Sequence, residues 1–181
     1  MRIVDARFPA AEPEALKAWY DDNLGAAPTF VRGDATPHHF AFHVADLDSW
    51  SDRLDVSEVH DFSSWGGARA VYFRDPEQNV VELIARPATR VELTLAEVGL
   101  PVHDVPAAAG ALSGQLGLHP YDDCNESFAP IGDDDGLLIV VRIGRGWFPV
   151  GVPAGEAPIE ITIADARRGD ITIEQHHVIA A

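Results

Sequence analysis

A strand–helix junction that occurs twice along the chain is the sequence feature that most limits its fold. The segments Val44–Leu47 and Val102–Val105 share the pattern Val-x-Asp followed by an aliphatic residue, and they lie 58 residues apart. Asp46 and Asp104 are each suited to cap a following helix, because an aspartate side chain accepts hydrogen bonds from the N–H groups of a first helical turn. An offset of this size between two similar segments indicates internal duplication.

Hydrophobic periodicity extends this repeat to the whole chain. Residues 1–36 predict a strand, a helix and a short link, and residues 37–90 predict a strand, a helix and three strands. Residues 91–166 repeat the longer order, and residues 167–181 form a tail with room for one further strand. We therefore expect an α+β fold of repeated units.

The composition excludes several classes of partner. The chain carries 13 Lys and Arg against 29 Asp and Glu, which gives a net charge of −16. Such a surface repels phosphate, so we expect neither a nucleic acid nor an anionic membrane as a partner. A single cysteine, Cys124, excludes an internal disulfide, and the N-terminal residues lack an apolar signal segment. These features predict a cytoplasmic protein.

Two strands carry titratable side chains inside apolar patterns. In the strand predicted over 38–44, His39 and His43 point to one face and the phenylalanines between them point to the other. Glu82 lies within a run of valine, leucine and isoleucine. A carboxylate is costly to bury in such a run unless it is paired or bound to a metal.

The same two segments carry a family resemblance. Residues 37–44 are Pro-His-His-Phe-Ala-Phe-His-Val, and residues 73–83 contain the run Phe-Arg-Asp-Pro-x-x-Asn-x-x-Glu-Leu. Together they resemble a vicinal-oxygen-chelate domain, the superfamily of glyoxalase I, bleomycin-resistance proteins and extradiol dioxygenases. The resemblance is strong over 37–86 and weaker over 95–164. It implies βαβββ units whose curved mixed sheets form a cup around a metal or ligand. Compared with such units the first unit of this chain is truncated, and the resemblance implies a homodimer that completes the cup.

The resemblance also implies metal ligands on the first and fourth strands of each unit. In the central unit these positions are His39 and Glu82, and His43 is a further candidate ligand on the face of His39. The residue 58 positions after His39 is Glu97, a candidate ligand or general base. The residue 58 positions after Glu82 is Val140, which cannot bind a metal. Nitrogen and oxygen donors suit Zn²⁺, Ni²⁺, Mn²⁺ or Fe²⁺, while the incomplete set leaves a metal-free site equally open.

Substrate recognition is predicted for a basic and aromatic segment. Arg142, Arg145 and Trp147 are expected to contact an anionic or aromatic substrate, and an ion pair between the arginines and Asp133–Asp135 is the alternative. His176–His177, near the end of the chain, is expected to have no functional part.

Three functions remain open on the sequence. The first is a metalloenzyme of the glyoxalase and dioxygenase kind, an isomerase, lyase or ring-cleaving dioxygenase, whose metal chelates vicinal oxygens of a small substrate. The second is a metal-free protein that binds and sequesters a small molecule, as bleomycin-resistance proteins do. The third is a non-catalytic scaffold.

Overall fold

Two mixed β-sheets, a short hairpin and three helices make up the part of the chain that this computed structural model describes, residues 1–87 and 93–181. In chain order the elements are β1 (Arg2–Ala10), α1 (Pro13–Asn23), β2 (Thr29–Arg32), β3 (His39–His43), α2 (Asp48–Ser51), β4 (His60–Phe62), β5 (Ala68–Arg74), β6 (Val80–Ala85), β7 (Leu95–Val102), α3 (Val105–Leu116), β8 (Phe128–Asp133), β9 (Gly136–Arg142), β10 (Gly146–Trp147), β11 (Val152–Pro153), β12 (Glu160–Ala164), β13 (Gly169–Ile173) and β14 (His176–Ala180). None of the described helices is long and apolar enough to cross a membrane.

The larger sheet contains strands from both of the units predicted over 37–90 and 91–166. Its order is β4-β5-β6-β3-β7-β9-β8, with β3 and β7 antiparallel at the centre. β3 is paired in parallel with β6, and β7 is paired in parallel with β9. The predicted α+β fold with a curved mixed sheet is therefore confirmed.

The smaller sheet joins the two ends of the chain. Its order is β13-β14-β12-β1-β2, with β1 parallel to β2 and antiparallel to β12. Residues 167–181, in which we expected room for one strand, hold both β13 and β14. The short first part of the chain thus shares a sheet with the C-terminal strands, although the division into units stays a prediction.

His176 belongs to this C-terminal part of the sheet and is buried, so it packs inside the fold, and the absence of a functional part for His176–His177 stays a prediction. Its Nε2 lies 2.6 Å from the carbonyl oxygen of Pro101, so this nitrogen donates a hydrogen bond to the neighbouring strand β7. The sequence does not reveal this burial, because alternation within five residues does not show which distant strand covers them.

The two faces of β3 pack against different surroundings, as the alternation predicts. Phe40 and Phe42 lie in the main core, where the Phe40 ring is 5.0 Å from that of Phe8 and 6.0 Å from that of Tyr20 in α1. Ala41 faces the opposite way, into a smaller cluster on the concave side of the larger sheet. The concave side is therefore free to hold a pocket.

The two predicted helix caps differ in outcome. The Asp104 carboxylate accepts a hydrogen bond of 2.9 Å from the backbone N–H of Ala107, and α3 ends at Gly117 in the left-handed conformation. Asp46 accepts from the N–H groups of Asp48 and Ser49 at 3.0 and 3.3 Å, but the helix that follows is only one turn long. Three aspartates lie between residues 46 and 52, and their poor helix propensity explains the short helix.

Candidate functional site

A pocket of about 220 Å³ lies on the concave side of the larger sheet. Its buried end is formed by His39, Glu82 and Glu97, which are 6%, 3% and 2% exposed. Aromatic side chains supply much of its wall, and they are Phe62, Trp65, Tyr72, Phe128, Trp147 and Phe148. The pocket thus joins a polar, buried end to an apolar wall, an arrangement typical of small-molecule sites.

Strand register brings the three polar residues together. Ala41 in β3 is paired with Glu82 in the parallel strand β6 and with Glu97 in the antiparallel strand β7. Side chains of directly paired residues point to the same face of a sheet, so both carboxylates flank the small methyl group of Ala41. His39 is two residues earlier on the same face. The alternation of β3 and the placement of Ala41 at its centre therefore create the cluster.

The orientation of the His39 ring is set by a backbone carbonyl. Its Nδ1 lies 3.1 Å from the oxygen of Val80, and because a carbonyl only accepts, Nδ1 carries the proton. Burial lowers the pKa of His39 to about 4, so the ring is neutral near pH 7 and Nε2 presents a lone pair. That nitrogen lies 3.5 Å from Oε2 of Glu82. A lone pair and a carboxylate oxygen placed side by side in this way repel each other, so the pair favours a proton or a cation between them.

The two carboxylates share one guanidinium. Arg86, which is 4% exposed, forms an ion pair with Glu97. Burial raises the pKa of Glu82 well above its usual range, the nearby charge of Glu97 raises it further, and Arg86 opposes both effects. Burial also raises the pKa of Glu97, against the influence of Arg86. Two buried carboxylates against one cation leave the cluster with a net negative charge when both are ionised.

In the unit predicted over 91–166, the position that corresponds to Glu82 holds isoleucine. The pairing of Gly99 with Ile139 in β7 and β9 repeats the pairing of Ala41 with Glu82. Ile139 lines the pocket, whereas Val140, which the 58-residue offset predicts for this position, faces the main core. The offset is wrong by one residue because the loops of the units differ in length, and one residue reverses the face of a strand. Neither side chain binds a metal.

His43 is not brought to the cluster. It shares the face of His39 and is buried, but four residues along a strand separate the two by about 13 Å. The potential metal group in the described residues consists of His39, Glu82 and Glu97, whose donor atoms all lie within 4.8 Å of one another. Burial and the charge of Arg86 lower the pKa of His43 to about 4.

The three residues predicted to contact a substrate are in two different places. Arg145 and Trp147 line the pocket, with the Arg145 guanidinium 4.8 Å from the centre of the Phe128 ring. The buried Trp147 ring is 5.2 Å from that of His39, and its Nε1 has no hydrogen-bond partner among the described residues. Arg142 is exposed and donates to the carbonyl oxygen of Glu126 at 2.9 Å, outside the pocket lining.

Arg86 and Tyr72 were missed, although the sequence contains a signal for each. Arg86 follows Glu82 by four residues, so continuing the alternation of β6 past its last residue places it on the concave face. Tyr72 pairs directly with Glu82 across β5 and β6. The aromatic residues Trp65 and Phe148 lie outside the strands, so the two-residue alternation of a strand does not predict which way they face.

Comparison with known proteins gives the fold. No family model matches the chain, and no curated protein matches it. A dioxygenase candidate from Bacillus subtilis subsp. subtilis is 15% identical with a TM-score of 0.65, covering 99% of this chain and 85% of that one. Glyoxalase I from Zea mays is 14% identical with a TM-score of 0.59, covering 99% of this chain and 91% of that one. The chain therefore has the fold of the vicinal-oxygen-chelate superfamily, as its sequence motif predicts.

Proposed function

We propose that this protein is a small-molecule enzyme of the glyoxalase and dioxygenase kind in which His39, Glu82 and Glu97 hold a divalent metal ion. The observation that carries the proposal is the 3.5 Å separation between Nε2 of His39 and Oε2 of Glu82. Two ligand atoms about 2.1 Å from one tetrahedral metal are about 3.4 Å apart. The hydrogen bond from His39 to Val80 supports the same role, since metal-bound histidines commonly donate their other nitrogen to a carbonyl.

The donor set fits a divalent metal. One imidazole nitrogen and two carboxylates suit Zn²⁺, Mn²⁺, Ni²⁺ or Fe²⁺. Burying two carboxylates is costly unless their charge is compensated, and Arg86 compensates only one. When bound, the metal would supply Lewis-acid polarisation of a substrate oxygen. Ile139 in place of a fourth protein ligand leaves that side of the site open to the pocket.

The surrounding side chains provide means of moving a proton. Glu97 offers one carboxylate oxygen to Arg86, and its other oxygen is left to act as a ligand or, as the sequence predicts, as a general base. Burial and the nearby charge of Glu82 raise the pKa of Tyr72, so this phenol stays neutral and serves as a hydrogen-bond donor. Both groups lie at the buried end, where bulk water is excluded.

The wall of the pocket supports a ligand with a planar, apolar body. Aromatic faces stack favourably on flat groups, and Arg145 adds a positive charge beside Phe128. A cavity of about 220 Å³ restricts the guest to a compact small molecule. We therefore propose a substrate with oxygen donors at one end and an apolar ring or chain at the other. A homodimer and a cytoplasmic location stay predictions.

A metal-free binding protein is the second candidate function, and the Arg86–Glu97 ion pair favours it. An internal cation already neutralises one carboxylate, and a proton held by Glu82 could bridge to His39 in place of a metal. The pocket would then bind its guest without transforming it.

Elemental analysis of protein purified without chelator tests the first proposal. We expect one divalent ion per chain in the wild type and its loss in His39→Ala and Glu82→Gln. His43→Ala is the matched control, because it removes a buried histidine from the same face of β3 outside the cluster. Substoichiometric metal in the wild type, with no change in either ligand variant, would refute the metal centre.

If the metal is absent, a thermal-shift screen of small molecules tests the second candidate. A ligand at about 100 times its dissociation constant stabilises a fold by roughly 2.7 kcal/mol. A wild-type shift that is reduced in Trp147→Phe would support a metal-free binding pocket, and no shift from a broad set of compounds would count against it.

A further inference from the structure

Arg86 is held inside the protein by a carboxylate of the proposed metal centre. Its side chain is 1% exposed and that of Glu97 is 3% exposed, so their ion pair is shielded from water. The other two guanidinium nitrogens, Nε and Nη1, have no hydrogen-bond partner among the described residues. The bond to Glu97 is therefore the main described contact that fixes this charge in place.

The charged groups that interact with Arg86 are the carboxylates of the proposed metal centre. Besides Glu97, the guanidinium interacts electrostatically with Glu82, His43 and Tyr121. His43 and Tyr121 carry no charge near pH 7, because burial lowers the pKa of the histidine to about 4 and raises that of the tyrosine to about 12. The two ligand carboxylates are thus the groups that offset Arg86, and a divalent ion at the same carboxylates is repelled by it.

We propose that Arg86 is the residue that sets the affinity of this site for a divalent cation. It acts as a resident counter-ion that competes with the metal for Glu97, and it stabilises the metal-free fold by keeping that carboxylate paired. The inference rests on the proposed metal centre at His39, Glu82 and Glu97. It goes further by predicting that the wild-type site binds its metal reversibly and less tightly than its three ligands allow.

The expected size of the effect follows from the influence of one charge on another. A single opposite charge within hydrogen-bond reach commonly changes the proton affinity of a carboxylate by a factor of about 10 to 1,000. A divalent ion that binds the same carboxylate feels the repulsion at least as strongly. Removing the charge of Arg86 should therefore tighten metal binding by about tenfold or more.

Calorimetric titration of Zn²⁺ and Mn²⁺ into chelator-treated protein tests this. We expect Arg86→Gln to bind at least about tenfold more tightly than the wild type. Arg86→Lys keeps the positive charge, so its metal affinity should lie closer to that of the wild type than to that of Arg86→Gln. Arg145→Gln is the matched control, because it removes a pocket arginine that is not paired with Glu97, and it should leave the affinity unchanged.

Arg86→Gln leaves Glu97 buried without its partner, so thermal unfolding is measured with and without metal. We expect the metal-free variant to unfold at a lower temperature and to gain more from saturating Zn²⁺ than the wild type gains. The double variant Arg86→Gln with Glu97→Gln removes both charges and should bind metal more weakly than Arg86→Gln alone.

The outcomes separate this inference from the proposed function. A wild type that binds metal with an Arg86→Gln variant of equal or lower affinity would overturn the role of Arg86 and leave the metal centre standing. A variant that fails to fold and is not rescued by metal would overturn it as well. If neither the wild type nor Arg86→Gln binds metal, the metal centre itself is refuted.

Discussion

Substitution of Gly99 by alanine should displace a wall of the pocket. A Cβ atom at Gly99 would lie 2.5 Å from Cη2 of Trp147 and 3.1 Å from the carbonyl oxygen of His39, whereas ordinary contacts are 3.4–4 Å. The buried indole must therefore move by about 1 Å, away from the strand that carries Glu97. Overpacking of this kind costs about 1–3 kcal/mol. For a domain of this size, that lowers the melting temperature by roughly 2–12 °C.

Denaturant unfolding followed by tryptophan fluorescence, together with the near-ultraviolet circular dichroism of the native state, measures this effect. Gly110→Ala is the matched control, because Gly110 lies within α3 and a Cβ there would have nothing within 4 Å. Alanine at an open helical position should stabilise the fold by about 0.5–1 kcal/mol. A Gly99→Ala protein as stable as the wild type, with an unchanged tryptophan signal, would refute the close packing of Trp147 on β7.

Two further predictions concern the incomplete ligand set and a buried histidine. Ile139 occupies the position in β9 that corresponds to Glu82 in β6, so Ile139→His adds an imidazole there and should tighten Zn²⁺ binding in calorimetry. Unchanged affinity would contradict the correspondence between Ile139 and Glu82. Burial lowers the pKa of His176, so His176 contributes stability that is present above about pH 6.5 and lost as the pH falls towards its folded value. His176→Gln can still donate a hydrogen bond to Pro101 but cannot titrate. Between pH 7 and 5 its unfolding free energy should therefore fall less steeply than that of the wild type, by up to about 1.4 kcal/mol per pH unit. An identical pH slope in that variant would show that His176 does not titrate this way.

Sequence reasoning identified the cluster because its members lie on regular strands. Alternation placed His39 on the concave face, and the family motif together with the 58-residue offset pointed to Glu82 and Glu97. Position within a strand determines facing, so these residues needed no knowledge of distant contacts.

The failures occurred where loops or long-range pairing decide the outcome. The offset missed Ile139 by one residue, since loop lengths differ between the units. Arg86 was overlooked because its partner Glu97 lies on another strand, and charge pairing of this kind depends on strand register. β12, near the C-terminal end, pairs with β1 from the opposite end of the chain, and local patterns do not specify so distant a partner.

Anomalous diffraction from crystals of metal-loaded protein, recorded at the absorption edge of the bound ion, tests the central claim most directly. The account predicts one strong peak about 2.0–2.2 Å from Nε2 of His39 and from a carboxylate oxygen of both Glu82 and Glu97. Density without an anomalous peak, with His39 and Glu82 in direct hydrogen-bond contact, would contradict the metal centre and favour a metal-free binding pocket.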